Sequence, residues 1–340
     1  MKEGSLKRMS AEHQNSINKS KEKIAKPVLL AVLVAFFALF PLFVRSPYYL
    51  HILSLTFIYT VAAVSLRTIT ISGQFPLAHG AFMGIGAYLS ALMAKFWGWL
   101  PLLCIPLSAL ATAVIGMLVG FLFSRLRSLH YAVGSLFFGI GVIYIIYAFP
   151  CTGGYTGMMG IPRLFQTADK MTYYYFFLVL ALISIVALYR FEFSHIGTIL
   201  KAIAQSHLVA SSVGINEAWY RVLVNGVGCF FVGLIGAGYA HYNMAMSPTA
   251  FNFMATLWLC MYVLIGGITS FAGPIIGTFF LFLLPEFVRD LQEYSPYFSA
   301  LLLLIVIFFM PRGLVSLPAL LKSYFLKRGE GERISNVSGS

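Results

Sequence analysis

The stretch ISGQFPLAHGAFMGIGAY, from Ile71 to Tyr88, interrupts a run that is otherwise apolar. Gly73, Gln74, Pro76 and His79 all fall near its start. Proline has no N–H to donate, so a helix breaks or kinks there. A broken helix inside a bilayer survives only where the freed backbone is buried in protein or lines a wet cavity. Ser72, Gly73, Gly80, Gly84, Gly86 and Ala87 are small and permit close helix approach. Two readings follow. Ser72, Gly73, Gln74 and His79 line a translocation path, or Gln74 and His79 sit in a packed contact, satisfied by neighbouring carbonyls.

The rest of the chain explains why a membrane is invoked. Of 340 residues, 59% are hydrophobic and 10% charged, and the mean hydropathy is +0.85. Soluble domains carry about 25% charged residues. The shortfall excludes an ordinary cytosolic enzyme, a disordered chain and a secreted disulfide scaffold. Apolar runs at 28–44, 48–66, 70–94, 101–123, 129–149, 173–189, 221–243, 254–267, 273–288 and 297–311 predict about ten transmembrane helices. The fold class is an all-α polytopic membrane protein. Two runs, 254–267 and 273–288, are shorter than the roughly 20 residues a span needs. Gly266, Gly267, Gly273 and Pro274 separate them. Residues 71–80 echo 265–274: Ile71, Gly73 and Ala78 match Ile265, Gly267 and Ala272 at one constant offset. The two segments lie five helices apart, so they point in opposite directions. Inverted repeats with broken helices mark a transport path at the repeat interface.

The formal charge is +12, but its distribution does not suit nucleic acid. Seven basic residues lie in 1–26 and five between Arg312 and Arg333. With the N-terminus inside, 18 of the 23 Lys and Arg fall on the cytoplasmic side and 5 outside. This bias predicts both termini cytoplasmic. Residues 1–26 read as a disordered tail, 27–318 as the transmembrane domain and 319–340 as a second cytoplasmic tail. The first run has a long leader and no small-residue cleavage site, so it reads as a retained helix rather than a signal peptide. Cys104, Cys151, Cys229 and Cys260 are scattered, without a CxxC pair, and read as small apolar residues.

No catalytic or metal signature appears: HExxH and HxxxH pairs are absent, as is a P-loop. Ser72 and His79 lack the turn of an intramembrane serine protease. The Gly-rich segment Thr152–Pro162 reads as a turn-rich re-entrant loop on the outer side. The membrane centre carries no carboxylate of the kind an ion-driven carrier uses. A path with neither an ion site nor an ATP site requires an external engine. Residues 190–220 form the longest internal cytoplasmic segment. In it Ile199, Leu200, Ile203, Leu208 and Ser211 fall on one helical face, and Gly214 suits a helix C-cap. That apolar face is covered either by the protein's own body or by a partner subunit.

Six segments then occur in a familiar order: SGQFPLAHGAFMGIGAY, TGGYTGMMGIP, the loop from Ile203 to Asn216, AGYAHY at 237–242, IGGITSFAGP at 265–274 and MPRGL at 310–314. Together they resemble the M-type permease subunit of bacterial branched-chain amino acid ABC transporters, from about residue 50 to 318. The resemblance implies a type II importer permease fold in the bacterial plasma membrane. It implies a homologous second permease subunit, two cytoplasmic P-loop ATPase subunits and an extracytoplasmic substrate-binding protein. It implies no cofactor in this chain, with ATP used by the partner subunits. Cargo would be leucine, isoleucine and valine or a similar small polar solute. The path would be lined by Ser72, Gly73, Gln74, His79, Gly266, Gly267, Gly273 and Pro274. The resemblance also makes 190–220 the ATPase-coupling loop, with Lys201, Ile203, Gln205, His207, Ser211, Gly214 and Asn216 as the coupling residues. Two departures stand out. Ala204, Gln205, Ser206 and His207 replace an arginine and an acidic pair common in the family, and Pro76-Leu77-Ala78-His79 replaces Ser-Leu-Gly-His. The alternative from the residues alone is an ion-coupled secondary carrier that acts without an ATPase.

Overall fold

The computed structural model describes residues 35–41, 43, 46–124, 126, 128–165 and 169–287, and isolated positions 297, 301, 304 and 314. The tails 1–26 and 319–340, and much of the first and last apolar runs, lie outside the described residues. A helical stretch at 35–41 precedes α1 (Pro47–Thr70), α2 (His79–Phe96), α3 (Pro101–Phe123), α4 (Ser128–Ala148) and α5 (Lys170–Glu192). The short α6 (His195–Gln205) and α7 (His207–Ser212) follow, then α8 (Glu217–Asn243), α9 (Phe253–Gly266) and α10 (Ala272–Phe287). Among the described residues, six helical segments, one of them Pro248–Gly266, are long and apolar enough to cross a membrane. With α9 rising about 21 Å over its 14 residues, that helix alone falls short of the roughly 30 Å hydrocarbon core.

The bundle is built on α8, which packs chiefly against α3 and α2. Small residues make this contact close. A Cβ on Gly86 would run into the Gly233 backbone, one on Gly236 into Met83, and one on Gly116 into Cys229. Lipid gives apolar side chains no reason to leave it, so helices here associate through backbone proximity rather than burial. α1 packs between α5 and α8, and α10 lies against α9 and α1.

One end of the bundle gathers two sets of side-chain contacts, Arg67–Glu192–Lys201 and Ser124–Arg221–Glu217. The other end is a loop layer. There the segment expected to be rich in turns forms two 3-10 turns, Pro150–Thr152 and Gly154–Thr156, and a two-residue strand. That strand, β1 (Met158–Met159), pairs antiparallel with β2 (Ala245–Met246). This small ribbon is the one departure from an all-α chain among the described residues. A Cβ on Gly157, which has φ +82°, would strike the Met246 carbonyl, so glycine is needed where the strands meet. Three cysteines are buried, Cys151 is exposed, and all four are free thiols.

Candidate functional site

The quoted segment folds in two parts. Thr70 ends α1, and Ile71–Ala78 has no regular structure. His79 does not stand in the break, as the sequence suggested, but opens α2. The chain that descends to meet it comes from the far end of the molecule. Residues 246–252 run antiparallel to the start of α2. Phe251 lies against Gly84 and stacks edge-on to Tyr88, and the Asn252 carbonyl faces Gly80. Asn252 then caps α9 by accepting from the Ala255 N–H at 3.2 Å. Two helix N-termini therefore meet inside the bundle. The Gly80 N–H donates to Thr256 Oγ1 at 2.9 Å, and a side chain on Gly80 would displace that hydroxyl.

His79 is fully buried. Its Nε2 lies 2.8 Å from Ser65 Oγ, which also donates to the Ala62 carbonyl at 2.8 Å. A hydroxyl has one hydrogen. With that hydrogen on Ala62, His79 carries its proton on Nε2, and Nδ1 is a bare acceptor without a partner. His241 is the satisfied counterpart. Its Nδ1–H donates to the Pro162 carbonyl at 2.8 Å, and its Nε2 accepts from Ser90 at 2.8 Å. Ser72 turns away from His79 and donates to the Ile69 carbonyl, so the two do not form a dyad.

Gln74 is almost wholly buried. Its Oε1 accepts from Asn225 Nδ2 at 3.3 Å, while its own Nε2 is unpartnered. Asn225 also donates to the Arg221 carbonyl and accepts from the Tyr131 hydroxyl at 2.5 Å. This polar chain leads from the break toward a cavity of about 540 Å3 at the charged end. Ser72, Gly73, Ser124, Gln205, His207 and Arg221 are among its walls. Two groups of residues that the sequence analysis kept separate thus share one cavity: Ser72 and Gly73 of the break, and Ile203, Gln205 and His207 of the loop 190–220. Gly73, at φ +79°, sits where a Cβ would come within 3.3 Å of the Ala204 Cα.

The loop itself is an elbow and not the single helix that the periodicity suggested. Ser206 takes an extended φ of −157°, closes α6 and caps α7 by accepting from the Val209 N–H. That bend separates the expected face. Leu200 and Ile203 are buried, while Leu208 and Ser211 turn to the surface with Val209 and Val213. Gly214, at φ +81°, follows α7, and the Ile215 N–H returns to the Ala210 carbonyl. Asn216 caps α8 through the Trp219 N–H. Lys201 reaches back to Glu192 at 3.1 Å. Of the seven residues assigned to the loop, Gln205, Ser211, Gly214 and Asn216 are exposed, whereas Ile203 belongs to the core.

Gly266, Gly267, Gly273 and Pro274 form a tight joint. A Cβ on Gly266 would meet the Gly273 backbone, and one on Gly273 the Gly267 carbonyl. Pro274 occupies the first turn of α10, where its missing N–H costs nothing. None of the four lines the 540 Å3 cavity.

Two functional candidates escaped the sequence reading. Arg67, near the end of α1, and Glu192, at the end of α5, are each 2% exposed and form a two-pronged ion pair. The signal was faint: Arg67 falls between the apolar runs 48–66 and 70–94 and entered only as a topology charge. The second is a groove of about 560 Å3, lined by Tyr59, Asn252, Trp258, Tyr262 and Phe282 on one flank of α9.

A helical membrane bundle with broken helices, a buried polar junction and a capped elbow at one end defines the class of polytopic transport permeases. A family described as "Branched-chain amino acid transport system / permease component" matches residues 48–311, and the chain belongs to that family. It is 26% identical to the high-affinity branched-chain amino acid transport system permease protein LivM of Salmonella typhimurium, covering 92% of this chain and 79% of the relative. It is also 26% identical to LivM of Escherichia coli, covering 87% and 75%. No solved structure matches it significantly.

Proposed function

We propose that this chain is a permease subunit of a branched-chain amino acid ABC importer, forming half of the path for leucine, isoleucine and valine. The observation that carries the reading is the family match from 48 to 311, which runs through every described span. The complex comprises a homologous second permease subunit, two cytoplasmic P-loop ATPase subunits and an extracytoplasmic substrate-binding protein. ATP is used by the ATPase subunits. The protein is multi-pass in the bacterial inner membrane, with the charged end and both termini cytoplasmic. About ten spans in an inverted repeat complete the fold. In support, Gly73 and Gly267 hold the same offset as the sequence echo and both adopt positive φ, +79° and +112°.

The path runs past Ser72, Gly73, Gln74 and His79, with Gly266, Gly267, Gly273 and Pro274 framing the second break. Buried polar atoms without partners, as on Gln74 and His79, suit a route that a polar solute crosses. The elbow Lys201–Asn216 receives the ATPase stroke. The exposed apolar Leu208, Val209 and Val213 of that elbow suit a protein partner. Gln205, His207 and Ser211 lie beside them, while Lys201, Ile203, Gly214 and Asn216 hold the elbow's shape. The test is reconstitution in liposomes with the ATPase, second permease and binding protein. ATP-dependent uptake of labelled leucine is expected. Uptake driven by an ion gradient without an ATPase would replace this reading with a secondary carrier.

A further inference from the structure

We propose that the buried pair Arg67–Glu192 is the linkage through which the α6–α7 elbow moves both breaks of the bundle. The inference rests on the reading of that elbow as the receiver of the ATPase stroke. One arginine touches three elements. Both of its terminal nitrogens engage the Glu192 carboxylate at the end of α5. Its Nε donates to the Ile268 carbonyl at 2.9 Å, inside the α9–α10 connection. Its own backbone carbonyl accepts from Thr70 Oγ1 and from the Ile71 N–H, at the mouth of the first break. Arg67 therefore joins the first break through its backbone and the second through its side chain.

Glu192 faces the elbow in two ways. One of its carboxylate oxygens meets Lys201 of α6 at 3.1 Å. Its carbonyl lies so close to Gly197 that a Cβ there would collide with it. A tilt of α6 consequently loads Glu192 through side chain and backbone together. The planar fork then passes on rotation as well as displacement, because a bidentate arginine–carboxylate pair has a fixed mutual orientation. A point charge such as lysine would swivel. Charges buried in this way do not serve stability well, since apolar replacement of both partners is often neutral. A pair placed between a moving elbow and two broken segments has a use that apolar packing cannot supply.

The experiment uses the reconstituted complex and reads three quantities: ATPase subunit retained, ATP hydrolysed, and leucine imported per ATP. The double variant Arg67→Met/Glu192→Met removes both charges and leaves neither partner stranded. It is expected to keep the ATPase subunit and hydrolyse ATP, while import per ATP falls by at least about fivefold, the low end of measured site-to-site coupling. Arg67→Lys keeps the charge and loses the fork, and is expected to uncouple as well. Unchanged import per ATP in the double variant would overturn the proposal. So would full function in Arg67→Lys, which would make the pair an electrostatic clamp. Should the double variant fail to assemble, Arg67→Lys alone decides between these outcomes. A wild-type complex whose elbow cannot be crosslinked to the ATPase would overturn the coupling reading itself. Crosslinking with intact coupling in the variants would overturn only the linkage.

Discussion

The first break, Ile71–Ala78, and the second, between Gly266 and Ala272, look alike in sequence and differ in structure. The first is open. It is eight residues long, carries the buried Gln74 side chain without a full set of partners, and leads to a helix that starts inside the bundle. The second is closed. Backbone meets backbone at Gly266 and Gly273, and Arg67 bonds the carbonyls of Ile268 and Thr269. The element that meets the start of α2 in depth is not the second break but the start of α9. Similar glycine patterns therefore serve different ends. In one place they accompany a buried polar side chain, and in the other they let two helix ends touch.

The largest effect is expected where the two breaks share a residue. Glu192→Leu leaves Arg67 charged and buried without a counter-charge, a loss of about 3–5 kcal/mol. Thermal unfolding of the purified chain in mild detergent checks it, and a variant of wild-type stability would show that Arg67 is hydrated. Gly266→Val comes next, at about 1–3 kcal/mol by overpacking, read as a lower yield of folded protein. Its counterpart Gly73→Ala carries the strain of a positive φ, about 1–2 kcal/mol, and meets Ala204 at 3.3 Å rather than fixed helix backbone. Gly73→Ala is thus expected to lower import more than it lowers stability, and Gly266→Val to lower both together. The reverse pattern would dissolve the distinction between open and closed breaks.

Thr256→Val removes the acceptor for the Gly80 N–H and is expected to cost about 1–2 kcal/mol. An unchanged melting temperature would mean that water reaches the junction. Gly214→Ala is the smallest change. Nothing lies within 4 Å of the added Cβ, so only the backbone strain at φ +81° remains, roughly 1 kcal/mol. Its effect is expected on import, through the elbow, with the bundle unaltered.

Much of this was legible along the chain. Apolar runs at 101–123 and 221–243 became α3 and α8 nearly to the residue, because a helix in lipid must satisfy its own backbone and cover its length with apolar side chains. The elbow was only half visible. Ser206 carried the N-cap signal that splits α6 from α7, but the longer apolar period across it spoke more loudly. Pro76 and Gly73 announced a break without saying how long it was.

Composition, hydropathy and ordered motifs determined that this chain spans a membrane and which family it belongs to, since each is a local property summed along the sequence. Tertiary structure alone decided what meets what. Arg67 and Glu192 stand 125 positions apart, and Gly80 and Thr256 stand 176 apart. No periodicity links such residues. Their meeting depends on how deeply each broken helix starts, and that depth is set by the packing of glycine backbones against one another.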